Sequence, residues 1–395
     1  MNIKPMYQFS TLMLSALPIL GSAGDIFTNQ VEIIAQGGLL HKNENDLVTS
    51  FDHGLGESLA LRLISDASFG DWKIFEGLEG QLHFQVQQNY NDPSILLPVF
   101  SQSDFRMTQI NNTQENVFAQ IDRANISFTT GELEWIVGRQ PMSVGVTRMA
   151  SISQIYNSNF PWNSSGYGYG VDAINLNYYL GTNDNVNAVV FLNQLDNKNS
   201  MALIRYQSTL YDQDVSITLQ KTKELYSVNA TIDAYLGNYA LWSEASVFFS
   251  SNDQILAEEQ FKITIGGDYY LQDLYGQIEY HYNSFGCQTI NNCNKPLIFS
   301  EYIYTGQPLF NQQYAYINNS YPLTDLSNLA VVNIINLNEL AIMNQFIWTN
   351  SVNDNFEWNF MLSNSIVFSD EANIKASHEF SQVPLQGTLT AQFYF

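Results

Sequence analysis

The chain carries six arginines: Arg62, Arg106, Arg123, Arg139, Arg148 and Arg205. Three of them fall between 123 and 148, so basic charge is concentrated where the rest of the sequence has little. Clustered cations attract anionic groups and orient dipolar ones. The five histidines are His41, His53, His83, His281 and His378, and none sits in a Ser/His/Asp arrangement that spacing can defend. The Gly/Tyr run Ser165–Gly170 has no following helix and lysine to cradle a phosphate. Asp46, Asp52, Asp92 and Asp104 lack calcium-loop spacing. Cys287 and Cys293 have no Cys-x-x-Cys or histidine companion, which sets aside zinc and redox motifs and leaves a small loop disulfide. The expectation is a chain with no catalytic centre, metal or cofactor.

These residues must be positioned by strands. Charged residues are 13% of 395, about half the usual globular share, and the net charge is −23. Phosphate would repel such a chain, so nucleic acid is not an expected partner. Aromatics are 14%, with Tyr 23 and Phe 25, and a disordered chain lacks them. Tyr, Phe, Ile, Val and Thr suit pleated strands. Short segments alternate with period two: Leu82, Phe84 and Val86 against Gln81, His83, Gln85 and Gln87; Val215, Ile217 and Leu219 against Ser216, Thr218 and Gln220. A soluble sandwich would bury the apolar set. A membrane barrel would turn it to lipid and face the polar set to a wet lumen.

Residues 1–23 read as a signal peptide, with Lys4, an apolar core from Leu12 to Leu20, and Gly21-Ser22-Ala23 before the cleavage point. Cleavage near Ala23 leaves 24–395 and a net charge of −24, since Lys4 is lost. The last strand, Gly387–Phe395, places Leu389, Ala391, Phe393 and Phe395 on one face and Thr388, Thr390, Gln392 and Tyr394 on the other. It resembles the closing strand of Gram-negative outer-membrane barrels. That resemblance implies an outer-membrane location, lipid around the barrel, and recognition of Phe393 and Phe395 by the barrel-assembly machinery.

The expected fold is all-β: one transmembrane antiparallel β-barrel of 18 strands, with 16 as the alternative. Its outer loops are long and its periplasmic turns short. The strands fall near 29–40, 56–66, 74–90, 116–129, 132–139, 171–180, 186–194, 200–208, 213–223, 225–236, 239–250, 259–270, 274–284, 329–338, 340–350, 355–366, 373–382 and 387–395. The long connections 41–55, 91–115, 140–170 and 285–328 all follow odd-numbered strands, which puts them outside if the N-terminus is periplasmic. Cys287 and Cys293 would staple the last of these, with Tyr316 at its surface.

On their strands, Arg62 and Arg123 lie with the polar residues. Strict alternation from Leu133, Trp135 and Val137 aims Arg139 at lipid, where arginine at the midplane costs about 2–4 kcal/mol. A bulge at Gly138 or a place at the outer rim would relieve that. The stretch Gly138-Arg139-Gln140, followed by Gly145, resembles the strand-end motif of porin-like barrels, including the alginate-export type. The likeness spans about 115–180 plus the last strand. It implies a pore whose post-motif loop folds into the lumen. Two functions follow as expectations. One is a porin or export channel for small polar solutes. Its pore-lining set is Arg62, Arg123, Arg139 and Arg148 as a basic wall, faced by Glu279 and Glu357. The other is a plugged structural, adhesin or receptor barrel that acts through its outer loops.

Overall fold

A computed structural model describes residues 26–41, 53–72, 75–91, 109–112, 117–142, 144–148, 170–192, 201–222, 225–250, 258–288, 311–368, 380 and 385–395. The strands are β1 Ile26–His41, β2 His53–Trp72, β3 Phe75–Asn91, β4 Gln109–Asn112, β5 Val117–Thr130, β6 Leu133–Gln140 and β7 Val171–Tyr179. They continue with β8 Asp184–Phe191, β9 Met201–Leu210, β10 Gln213–Thr222, β11 Leu225–Leu236, β12 Tyr239–Ser250 and β13 Gln260–Leu271. The last are β14 Leu274–Asn283, β15 Gln313–Thr324, β16 Ser327–Asn336, β17 Ala341–Asn353, β18 Phe356–Val367 and β19 Leu385–Tyr394.

Each long strand pairs antiparallel with its sequence neighbours, β3 pairing directly with β5. The ring closes through β1 and β19, from Glu32↔Tyr394 to His41↔Leu385. Val31 and Phe395 exchange backbone hydrogen bonds of 2.9 and 3.1 Å at the seam. The short β4 pairs only with the first four residues of β5 and is not a stave. The barrel therefore has 18 staves.

Which face is wet is settled by burial. Ile217, Leu219, Ile265 and Ile278 are each more than half exposed, while Thr264, Glu279, His281 and Asn283 are fully buried. Along β11, exposed Tyr226, Val228, Ala230 and Ile232 alternate with buried Leu225, Ser227, Asn229 and Thr231. Apolar residues outside and polar residues inside is the reverse of a soluble sandwich and suits lipid. Exposed tyrosines gather at the end with the short turns, among them Tyr178, Tyr235, Tyr239 and Tyr270. Tyr226, Phe249 and Phe261 mark the other end, so aromatic belts flank the apolar band. Connections at the first end are two to four residues, such as 131–132, 211–212, 272–273 and 325–326. Tyr211 and Asp212 both have positive φ, the backbone that a two-residue hairpin with the sheet's own twist requires.

Two strand assignments change. Residues 313–324 are β15 rather than outer loop, and Tyr316 is fully buried within it. Its inward face carries Tyr314 and Tyr316, so aromatics stand on both faces and the period-two contrast is lost. The strand expected at 373–382 has no place in the ring, because β18 pairs directly with β19. Phe380 is not in a strand. It packs against Tyr314 with ring centroids 6.4 Å apart, and the other residues of that segment lie outside the described ones. The two changes cancel in the count. The long connections 42–52, 92–116, 141–170, 284–312 and 368–384 still all lie at one end.

Residues 1–23, with the expected cleavage site, lie outside the described residues. So does Cys293, while Cys287 is buried and is not a free thiol.

Candidate pore-lining site

The site begins where β6 ends. Gly138 has φ +117°, and a Cβ there would sit on the Ala124 carbonyl oxygen, so only glycine fits. The register runs unbroken through it, Asn125↔Gly138 on one side and Gly138↔Ala173 on the other, so no bulge forms at this point. The irregularity lies in β5, opposite His83 and Phe84 of β3. Arg139 is buried. Its Nε and Nη2 donate to the two carboxylate oxygens of Asp172 at 2.9 and 2.6 Å, and its Nη1 donates to the Ile121 carbonyl at 2.6 Å. Asn125 donates to the Arg139 carbonyl at 2.8 Å, and Gln140 donates to the Ala173 carbonyl at 3.1 Å. These bonds pin the end of the strand from which residues 141–148 depart.

That segment runs inside the barrel. Met142 and Val144 are buried with Val171, Ala173, Val189, Phe191, Met201 and Leu203, which occupy inward positions of β7, β8 and β9. An apolar patch facing a wet lumen would be unfavourable, and the segment covers it. Further on, the backbone N–H groups of Val146 and Thr147 both donate to Glu244 Oε1 on β12, the latter at 3.1 Å. The Arg148 N–H donates to Glu279 Oε1 on β14 at 2.6 Å, and Trp242 Nε1 donates to the same oxygen at 2.7 Å. A Cβ at Gly266 would run into both Trp242 Nε1 and Glu279 Cγ, so the indole needs that glycine to reach the carboxylate. Residues 141–148 thus form a strap, fixed by apolar contact at one end and by two buried carboxylates at the other.

The Arg148 guanidinium lies 5.2 Å from the Trp242 ring centroid, and Nη2 donates to Asp233 Oδ2 of β11 at 2.8 Å. Its side chain remains 41% exposed, so a planar cation faces the lumen from the strap.

The other expected residues are placed as follows. Arg62 is buried and pairs with Glu32 at 2.7 Å. Arg123 is half-buried on the inward face of β5, opposite His83, which lies 3.1 Å from Asp66. Arg62 and Arg123 lie on nearby staves, whereas Arg148 has crossed to β11 and β12. Glu279 does not stand opposite the arginines but holds the Arg148 backbone. Glu357 faces inward near the short-turn end and accepts from Ser351 Oγ at 2.9 Å. Phe393 and Phe395 face outward, and Phe393 stacks on Phe356 with centroids 4.6 Å apart.

Sequence reasoning missed Asp233, Trp242, Glu244, Asp172 and Lys262. Glu244 was readable, since it alternates with Ala245 and Val247. Trp242 was not, because an inward tryptophan looks like a lipid-facing one. Lys262 is buried inside the barrel between Phe248 and Phe285, at 5.7 and 5.5 Å from their ring centroids.

No family model matches the chain, and no curated protein matches it. Solved structures do. A BenF-like porin from Pseudomonas fluorescens Pf-5 matches with TM-score 0.60 at 6% identity, over 93% of this chain and 98% of that one. OccK9 (OpdG) of Pseudomonas aeruginosa matches with TM-score 0.60 at 8% identity, over the same shares. Acinetobacter baumannii OccAB1 matches with TM-score 0.57 at 13% identity, over 93% and 96%. At these identities the likeness concerns the fold alone, and the fold is that of a porin-like 18-stranded antiparallel β-barrel.

Proposed function

We propose that this chain is a Gram-negative outer-membrane porin that passes small polar solutes through a lumen narrowed by the strap 141–148. The carrying observation is the strap itself: a loop seated on inward-facing residues of β7–β9 and on Glu244 and Glu279. A barrel that served only to present outer loops has no use for a segment held across its interior. In this reading residues 1–23 direct export and are removed near Ala23. The strand ending in Phe395 is read by the assembly machinery. Arg148 brings positive charge to the narrowest region, and Arg123 adds to it from the inward face of β5. Cys287 bonds Cys293, which accords with a buried Cys287 that is not a free thiol. The kinship with alginate-export barrels rests on the sequence likeness over about 115–180, centred on Gly138–Gln140 and Gly145, and on the last strand. One of the similar structures is named a BenF-like porin, which suits a channel rather than an enzyme.

A plugged barrel remains the second reading. What favours it is the wall of β13–β15, where Lys262, Thr264, Glu279, His281, Tyr314 and Tyr316 are all buried on inward positions. Osmotic swelling of liposomes containing the folded protein separates the two. Swelling in small neutral and charged solutes that fades with solute size supports the pore. Liposomes as tight as protein-free ones support the plug.

A further inference from the structure

Among the described residues the outward strand faces carry asparagines such as Asn333, Asn344 and Asn364 among their apolar residues but little charge, which makes Lys221 conspicuous. Its strand parity matches Ile217 and Leu219, both more than half exposed, so it points out of the barrel. Among the described residues it is the one lysine on the outward set. It stands one residue from the end of β10, at the end of the barrel with the long connections. A cation on the lipid face costs about 2–4 kcal/mol at the midplane and about 0–1 near the interface, so its depth places it at headgroup level.

Lys221 also heads a groove of about 400 Å³. The register aligns Ala202, Lys221, Tyr226 and Phe249 in one row across β9–β12. Tyr226 and Phe249 stack with centroids 5.8 Å apart and form one wall. Ala202, with only a methyl group, leaves the row open beside the ammonium. Beneath it lie Ile204 and Leu219, both exposed and apolar. The site therefore has a cation at headgroup depth and an apolar trough running toward the midplane.

We infer that this groove binds one outer-leaflet lipid whose headgroup is a net-anionic phosphate monoester, its phosphate on Lys221 and an acyl chain along Ala202, Ile204 and Leu219. A phosphate suits the ammonium, and an acyl chain suits a trough that opens only to lipid. The chain is otherwise strongly acidic, so a general attraction to anionic lipid does not explain the position. The inference rests on the membrane-barrel reading above but not on the pore being open.

The test is native mass spectrometry of the folded full-length protein in detergent. The probes are phosphatidate, phosphatidylcholine with the same acyl chains, and inorganic phosphate, with planar-bilayer conductance recorded on the same samples. The wild type should retain phosphatidate roughly fivefold better than phosphatidylcholine, the worth of one basic side chain at a membrane surface. Lys221→Ala should erase that preference, and Ala202→Phe, which fills the trough and keeps the charge, should weaken binding of both lipids. Equal retention of the two lipids by the wild type would overturn the site. So would a preference that survives Lys221→Ala, phosphatidate binding that Ala202→Phe leaves intact, or adducts formed by inorganic phosphate alone. A protein that conducts but shows no lipid preference sinks this inference and spares the pore; the opposite result does the reverse.

Discussion

Several inward ionised groups among the described residues are paired across strands, among them Arg62 with Glu32 and Arg139 with Asp172. Arg139 and Asp172 form a fork with two short hydrogen bonds and almost no exposure. Breaking a buried pair leaves a charge behind and costs about 3–5 kcal/mol. Arg139→Ala should therefore lower the temperature at which the folded barrel unfolds on heated gels. The double change Arg139→Met with Asp172→Leu should recover much of the loss, and a double variant no better than the single one would argue against the pair. Arg148 differs, because its side chain stays 41% exposed. Neutral residues at Arg123 and Arg148 should shift the reversal potential toward cations, most clearly at low salt where screening is weak. Removing Arg148 also releases Asp233, which pushes the same way. An unchanged reversal potential in a conducting variant would show that neither arginine lines the constriction. At this scale the sequence disclosed side but not partner. Parity put Arg62 and Arg123 inward, yet Glu32 becomes the partner of Arg62, and Asp172 that of Arg139, only through pairing across strands.

The elements divide into staves, whose pattern is local, and a strap, whose position is not. Staves such as β10 and β11 were legible because lipid and lumen impose opposite chemistry on alternate residues. β15 was not, because Tyr314 and Tyr316 face inward and Pro322 interrupts the run. No residue within 141–148 announces that it will lie on Glu244 and Glu279, from 97 to 131 positions away. The closing strand was plain from its end: Phe395 seals the seam through its backbone and faces lipid with its ring. Phe395→Asp should reduce the folded protein recovered from the outer membrane while export across the inner membrane continues. Normal outer-membrane levels of that variant would remove the assembly role. Gly266→Ala should displace Trp242 from Glu279 and loosen the strap, seen as noisier current at an unchanged folded yield.

For the whole molecule, a chain with a net charge of −23 would, in the pore reading, draw cations to its mouths, and the strap would set what passes beyond them. Composition and alternation conveyed strands with one polar and one apolar face, the closing strand pointed to a barrel, and burial settles that the polar face is inside. The sequence could not convey how wide the lumen is, because width depends on one segment's place against distant carboxylates. The account therefore turns on whether that strap narrows an open pore. The direct measurement is single-channel conductance of the wild type beside Glu244→Ala with Glu279→Ala, with Glu244→Gln with Glu279→Gln as the conservative control. The strap model predicts discrete steps in the wild type, larger and less steady steps in the alanine protein, and near-native steps in the glutamine protein, whose amide oxygens still accept the strap's N–H groups. Silence from a correctly folded wild type, or identical steps in all three proteins, would contradict it.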